Sequence, residues 1–540
     1  MERTWLRNPF ALMMMLVLVT FTLLAGCSSN EESSKESSDK GKTDDNSPIT
    51  LTLFDKNTGD AFDNEVAKEI TKHTGVKIEI QQPTGNPDEK LNLMLASGDL
   101  PDIVLMPRGS ELVTKYISAG ALIPLNDLID KYGTNVKQMY GDTLKKTRYD
   151  DGKNYYLSNW YGLDNEPVFG MLMRMDLLKE LGVGEKANNG QPFTSEEFYK
   201  LLKTFKEKYP TINGHESIPL TLNAENMGSA IATFKGMWGM KSFYEKNGKL
   251  RYSEKDPSYL EMMLYMNKLY REGLIDKEWA VNKTQLWNQK LSNGYTFATA
   301  SAYWDTGDAN TILKKADGAE NVDKQFYAYK VTAPGVNPSK TTFGPRSSLG
   351  WDAIGITSKN KYPEKTMKLI DFLSSEEGQY LLMWGIEGKH WDMVDGKHKP
   401  KEGFLEQYKN DENFRKTTGV RKWTWFIKNG AGSDGTPYDL TNKYEKDSVA
   451  TIAYKNLDDT TWDTAIYDNL GPAAGTPESL ISQKVTDIIN STVPKLINSP
   501  SEAEAKARYK VMLKDLDKVG LEKVEKVIND NYQKRKELWK

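Results

Sequence analysis

Ile49-Thr50-Leu51-Thr52-Leu53-Phe54 alternates apolar and polar side chains, the period-two pattern of a strand with one face buried. The residues after it decide the fold. Val66, Ala67 and Ile70 stand at helical spacing between Asp63 and His73, and Gly75 ends the pattern, as a glycine just past a helix does by accepting a left-handed backbone. Alternation resumes at Val76, Ile78 and Ile80, a second helical stretch holds Leu91 to Leu95, and Asp102-Ile103-Val104-Leu105-Met106 reads as a third strand. Strand and helix in turn predict a parallel sheet, because parallel neighbours need a crossover between them. The turn after the first strand, Asp55-Lys56-Asn57-Thr58-Gly59, has no glycine-rich phosphate cradle, so neither a dinucleotide fold nor a P-loop is indicated.

Upstream, Arg3 and Arg7 precede an apolar run from Phe10 to Leu24. The run is shorter than the roughly 20 residues that span a bilayer and suits a secretory signal. Leu24-Ala25-Gly26-Cys27 resembles the bacterial lipobox, whose cysteine is acylated and begins the mature chain; Cys27 is the only cysteine. A chance cysteine after an ordinary signal is the alternative. Residues 1–26 are thus expected to be a lipoprotein signal peptide, and 27–47 the acylated cysteine and a flexible tether. Residues 28–47, SSNEESSKESSDKGKTDDNS, contain no aliphatic or aromatic side chain and cannot offset the entropy of ordering.

The whole chain of 540 residues is 38% apolar, 27% charged and 11% aromatic, which disfavours disorder, collagen and a multi-span membrane protein. Its length suggests several domains with a sizeable cleft between them. The 72 basic and 75 acidic residues give a formal charge of −3, far from the positive field that nucleic acid requires. One cysteine and four histidines leave little for an intramolecular disulfide or a zinc cluster. No metal or cofactor is expected, and His390 and His398 read as ordinary loop residues. Further along, Thr194-Ser195-Glu196-Glu197 opens an amphipathic helix through Phe198, Leu201, Leu202 and Phe205. Ser258 to Glu272 is a second helix, rich in Leu, Met and Tyr, and the tail from Ser501 forms helical faces broken at Gly520.

Several segments in order resemble the extracellular solute-binding proteins of bacterial ABC importers, the family that includes maltose-binding proteins. They are Gly75-Val76-Lys77-Ile78, Ala96-Ser97-Gly98-Asp99-Leu100-Pro101-Asp102-Ile103-Val104, Ala119-Gly120-Ala121-Leu122-Ile123-Pro124-Leu125, Phe297 to Trp304, Ile354-Gly355-Ile356 and Lys361 to Met367. The length, and Gly378 to Gly385, look most like the larger oligosaccharide-binding lipoproteins of Gram-positive bacteria. The resemblance implies an α/β, two-lobed periplasmic-binding-protein-like fold with discontinuous lobes and a ligand cleft between them. The N-terminal lobe is expected to comprise 48–160 with about 355–400, and the C-terminal lobe about 165–350 with about 405–540. Crossings are expected near Asn159 to Phe169, near Trp351 to Ile356 and somewhere after Gly385. The implied protein is a lipid-anchored monomer on the extracellular face of the cell membrane. It captures a carbohydrate and passes it to ABC permease transmembrane subunits.

Aromatic residues stand beside polar ones at expected strand ends: Asn159-Trp160-Tyr161-Gly162, Met237-Trp238-Gly239, Tyr303-Trp304-Asp305 and Gly350-Trp351-Asp352. A sugar ring has an apolar face and a rim of hydroxyls, so an aromatic plane beside carboxylates or amides matches both. The bland alternative for any one of them is a core tryptophan. Trp304 also matches the family's stacking tryptophan. Asp55 and Lys56 follow the first strand where relatives place ligand contacts, and Arg108 follows the third. Arg108 and Arg346 offer planar forks for paired hydroxyls or a carboxylate, which leaves an acidic sugar open; surface salt bridges are their alternative. The candidate ligand contacts are therefore Asp55, Lys56, Arg108, Asn159, Trp160, Trp238, Trp304, Asp305, Arg346 and Trp351. Two rival functions remain. A carbohydrate-active enzyme would need paired acids such as Asp305 with Asp308 or Asp164 with Glu166, but neighbours on one turn do not normally flank a scissile bond. A surface adhesin would fit the anchor and tether without requiring this order of motifs. Some larger relatives bind calcium in a loop where this chain has Tyr209-Pro210-Thr211-Ile212-Asn213-Gly214-His215-Glu216-Ser217. With Glu216 its only acid, it is expected to bind none.

Overall fold

The computed structural model describes residues 48–540 except Ala474; the signal, Cys27 and tether lie outside the described residues. From the N-terminal side come β1 (Ile49–Asp55), β2 (Val76–Gln81), β3 (Ile103–Pro107) and β4 (Leu157–Asn159). The expected helix between β1 and β2 covers Glu65–Thr74, capped by the Asn64 side chain accepting from the Ala67 amide at 2.9 Å and closed by Gly75 at φ 67°. Strands β1, β2 and β3 pair in parallel, with Leu51 opposite Ile78 and Leu53 opposite Ile103.

The chain then builds a second sheet from β5 (Phe169–Arg174), β6 (Ile218–Thr221), β7 (Thr296–Ala302) and β8 (Phe326–Tyr329). Its order is β8-β5-β7-β6, with β5 antiparallel to both neighbours. After β9 (Gly344–Arg346) the chain returns as β10 (Asp352–Ile356), inserted antiparallel between β3 and β4. The first sheet is thus β2-β1-β3-β10-β4. Much later β11 (Thr461–Asp463) pairs with β9.

Each sheet has its own core. One cluster gathers Leu51, Leu53, Ile103 and Ile354 with Trp384; the other gathers Met171, Leu172, Phe297 and Tyr329 with the helical residues Phe198, Phe205, Met262 and Met266. The helix at Ser195–Lys208 carries the expected cap at Thr194, and the Leu, Met and Tyr stripe of Pro257–Arg271 is a core face. The tail forms helices Glu502–Lys518 and Leu521–Leu538, separated by Gly520 at φ 98°.

One expected boundary is corrected. Residues from about 405 are expected in the C-terminal lobe, yet Phe404, Val420, Trp423, Trp425, Ile427, Tyr438 and Leu440 pack into the first core, and the second resumes at Val449. Directional bonds hold this segment: Trp425 Nε1 donates to Asp55 at 2.9 Å, the Ile427 amide to Asn159 Oδ1 at 2.8 Å, and Trp384 Nε1 to the Tyr438 carbonyl at 2.9 Å. The end of the chain also returns to the first lobe. Lys534 pairs with Asp150 at 2.6 Å, Trp539 Nε1 donates to the Lys146 carbonyl at 3.1 Å, and Lys145 bonds the Lys540 carbonyl. Among the described residues no helix is long and apolar enough to cross a membrane.

Candidate ligand-binding cleft

The C-terminal ends of β1, β3 and β4 and the start of β10 lie along one edge of the first sheet, which brings Asp55, Arg108, Trp160 and Trp351 into one neighbourhood. Asp55 is 1% exposed. It accepts from the Asn57 amide and Nδ2, both at 2.8 Å, and from Trp425. Burial nevertheless pushes its carboxyl above the usual range, with nearby Asp352 adding to the rise. Lys56 reaches across to Asp352 at 3.2 Å. Asp352 is itself pushed up by burial, against the pull of Lys56 and Asn159. The buried Asn159 amide is fully engaged by Asp352, the Thr424 carbonyl and the Ile427 amide. Asn159 and Asp55 therefore brace this edge from beneath.

Trp160 adopts φ 58°, a left-handed conformation uncommon for a bulky side chain. The chain crosses Gly350 there so closely that a Cβ on that glycine would stand 2.0 Å from the Asn159 carbonyl oxygen. This tight crossing sets the rings of Trp160 and Trp351 in a stack, 6.0 Å apart and 22° from parallel, with Trp351 50% exposed. The Arg421 guanidinium lies 5.8 Å from the Trp160 ring and forks onto Asp439 with two bonds of 2.9 Å. Arg108 is turned inward: it donates to the Gly350 carbonyl at 2.7 Å, to Ser347 at 3.1 Å and to Asp468 at 2.6 Å.

On the second sheet, β7 ends at Ala302 and delivers Tyr303 and Trp304 to the turn beyond it. Trp304 is 46% exposed, held edge-on by Tyr303 at 4.9 Å and faced by the Arg346 guanidinium at 5.6 Å. Arg346 is clamped by one residue. Its Nε donates to the Glu166 carbonyl at 3.1 Å, and its Nη2 stands 2.8 Å from the Glu166 carboxylate. The same carboxylate accepts from Tyr303 at 2.6 Å and from Lys443 at 2.9 Å. Burial and this carboxylate push the Tyr303 phenol far up, so it stays a donor. A cavity of about 460 Å³ opens beside Trp304 and Arg346, lined also by Lys409, Thr441 and Glu445.

Two candidates fall elsewhere. Trp238 is 8% exposed and packs at 5.6 Å from Tyr265 in the second core, because it closes the buried helix Met227–Met237. The half-buried Asp305 accepts from Ser301 and from the Ala302 amide, which closes the turn that carries Trp304. Sequence reasoning missed Arg421, Asp439 and Lys443 as cleft residues, and named Tyr303 only within the cluster around Trp304. Asp164 and Glu166, the alternative pair of acids, share Lys443 at 2.8 and 2.9 Å. The two histidines are packed rather than free in loops: His398 stacks on Tyr380 and pairs with Asp434 at 2.8 Å, while His390 Nδ1 accepts from the Ile386 amide at 2.9 Å. At the expected calcium-loop position, Thr211–Ile212 and His215–Glu216 form a small hairpin around Asn213 and Gly214, at φ 53° and 79°. Among the described residues no group of three or more His, Cys, Asp and Glu is arranged to hold a metal ion.

Two α/β lobes, each with an exposed tryptophan beside a strand end, define a ligand-capturing protein rather than a nucleotide fold. The bacterial extracellular solute-binding protein family matches residues 55–380, and the chain belongs to that family. It is 27% identical over 406 residues to the lipoprotein LipO of Bacillus subtilis, covering 73% of this chain and 75% of LipO. It is 26% identical over 413 residues to the fructooligosaccharide ABC transporter substrate-binding protein FusA of Streptococcus pneumoniae, covering 71% and 72%. An extracellular solute-binding protein from Bifidobacterium longum subsp. infantis shares the fold at TM-score 0.68 and 21% identity, over 92% of this chain and all of that one.

Proposed function

We propose that the protein is the carbohydrate-capturing component of an ABC import system, held at the cell surface by acylated Cys27, and that it delivers an oligosaccharide to the permease as a monomer. The observation that carries this reading is the placing of half-exposed Trp304 and Trp351 on separate lobes, with ion-paired polar groups around the cavity beside Trp304. Aromatic planes supply affinity for the apolar faces of sugar rings, and the polar rim selects hydroxyls. Closure of the two lobes by hinge rotation would exclude water from both. The names of FusA and LipO support the ligand class and the anchor.

A glycan screen read by thermal shift tests the ligand class, using mature protein with Cys27 removed. A sugar at 100 times its dissociation constant adds about 2.7 kcal/mol of stability; no shift with any saccharide would sink the reading. Chromatography of the recovered sugar tests the enzyme alternative, since turnover would yield fragments. For the anchor, Cys27→Ala should release protein into the medium or leave unprocessed precursor, because firm attachment needs more than one acyl chain or signal. Continued fatty-acid labelling of that variant would place the anchor elsewhere.

A further inference from the structure

Cations around the cleft are already engaged. Lys56 has Asp352 at 3.2 Å, Arg108 has Asp468 at 2.6 Å, Arg421 has Asp439 at 2.9 Å and Lys409 has Glu445 at 2.5 Å. Lys446, which also lines the cavity, sits over the Tyr454 ring at 4.0 Å. The decisive pair is Arg346 with Glu166, because Arg346 faces Trp304, where a stacked ring would lie. Glu166 holds this arginine at two points, its carbonyl 3.1 Å from Nε and its carboxylate 2.8 Å from the buried Nη2. The guanidinium is thus neutralised by the carboxylate beside it. An uncharged hydroxyl can approach this neutral pair without disturbing it. A ligand carboxylate would have to lie beside the Glu166 carboxylate or displace it, and a displaced Glu166 would leave Tyr303 and Lys443 without this partner.

We infer that Glu166 sets the charge of the ligand: by pinning Arg346 beside Trp304 it restricts the cleft to uncharged oligosaccharides and rejects uronic-acid chains. This rests on the carbohydrate-binding reading. Lys443 supports the arrangement by bridging Glu166 to Asp164, and Tyr303 fixes the second carboxylate oxygen. Freed of Glu166, Arg346 would present a charged fork to a sugar carboxylate next to the stacking plane.

Calorimetry on the mature protein, with neutral fructo-, xylo- and manno-oligosaccharides and with oligogalacturonates of matched length, tests this at low and moderate salt. Wild type is expected to bind at least one neutral series and to bind galacturonates at least about tenfold more weakly, a gap of about 1.4 kcal/mol. Glu166→Gln should narrow that gap at least about tenfold, with a salt dependence for galacturonate that the wild type lacks, and adding Arg346→Gln should abolish the gain. A galacturonate preference in the wild type overturns the inference without any variant and leaves the carbohydrate reading intact. An unchanged preference in a folded Glu166→Gln protein overturns it too. Failure of the wild type to bind any saccharide sinks the carbohydrate reading and this inference together.

Discussion

Trp304 and Trp238 have comparable neighbours in the sequence and opposite surroundings in the fold, so their alanine variants should diverge. Trp304→Ala removes a half-exposed plane from the cleft and should weaken sugar binding at least about tenfold, with the ligand-free melting temperature little changed. Trp238→Ala empties a core site and should cost about 3–5 kcal/mol of stability, with affinity preserved once folded. Calorimetry paired with melting curves reads both, and the reverse pattern would exchange their roles. His390 offers a pH test. Burial lowers its pKa, partly opposed by Glu65, and its Nδ1 must stay unprotonated to accept the Ile386 amide. The folded pKa lies below the ordinary value near 6.5, so the neutral ring's stability is present above that value and is lost as pH falls through it toward the folded pKa. Wild type should therefore lose more stability than His390→Gln between pH 7 and pH 5 in urea titrations; equal losses would refute the assignment.

Among elements, the hairpin around Asn213-Gly214 presents one acid, Glu216, which pairs with Lys277 at 3.6 Å. Calcium needs six to eight oxygens, so millimolar calcium should not raise the melting temperature; a rise lost on replacing residues 211–216 would overturn this. The regular elements were legible because their periods are local. The alternation in Ile49–Asp55, the cap at Thr194 and the glycine stops at Gly75 and Gly520 each need only neighbouring residues. The segment from Phe404 to Leu440 was not legible. Past the short helices Phe404–Asn410 and Glu412–Thr418 it has little periodic structure, and its Trp423 and Trp425 are fixed by Asp60 and Asp55, more than 360 positions away. The same reason hid the site's wiring. Trp304 announced itself by standing after an apolar strand, whereas nothing near Glu166 in the sequence signals Arg346, Tyr303 and Lys443.

For the whole molecule, the Arg108–Asp468 pair ties the first lobe to a segment beside the C-terminal helices, reinforced by Ser347 donating to Asp468 at 2.5 Å. Asp468→Asn leaves a largely buried guanidinium without its counter-ion and should cost about 1–3 kcal/mol. Hydrogen exchange should quicken at 347–350 and 465–469; unchanged exchange there would show that the tie bears no strain between the lobes. The strand β10 has a different consequence, one of birth order. Hydrogen-bonded neighbours Asn159 and Asp352 are 193 positions apart, and closing so long a loop costs about 4–5 kcal/mol of chain entropy. A chain that emerges N-terminus first cannot complete its first sheet until Ile356 is out, whereas the second sheet spans Phe169 to Tyr329 without interruption. The lobe begun second is thus the first whose sheet the emerging polypeptide can finish. An arrested nascent chain that has released Tyr329 but not Asp352 should protect the amides of β5 and β7 while β3 and β4 still wait for the strand that will join them.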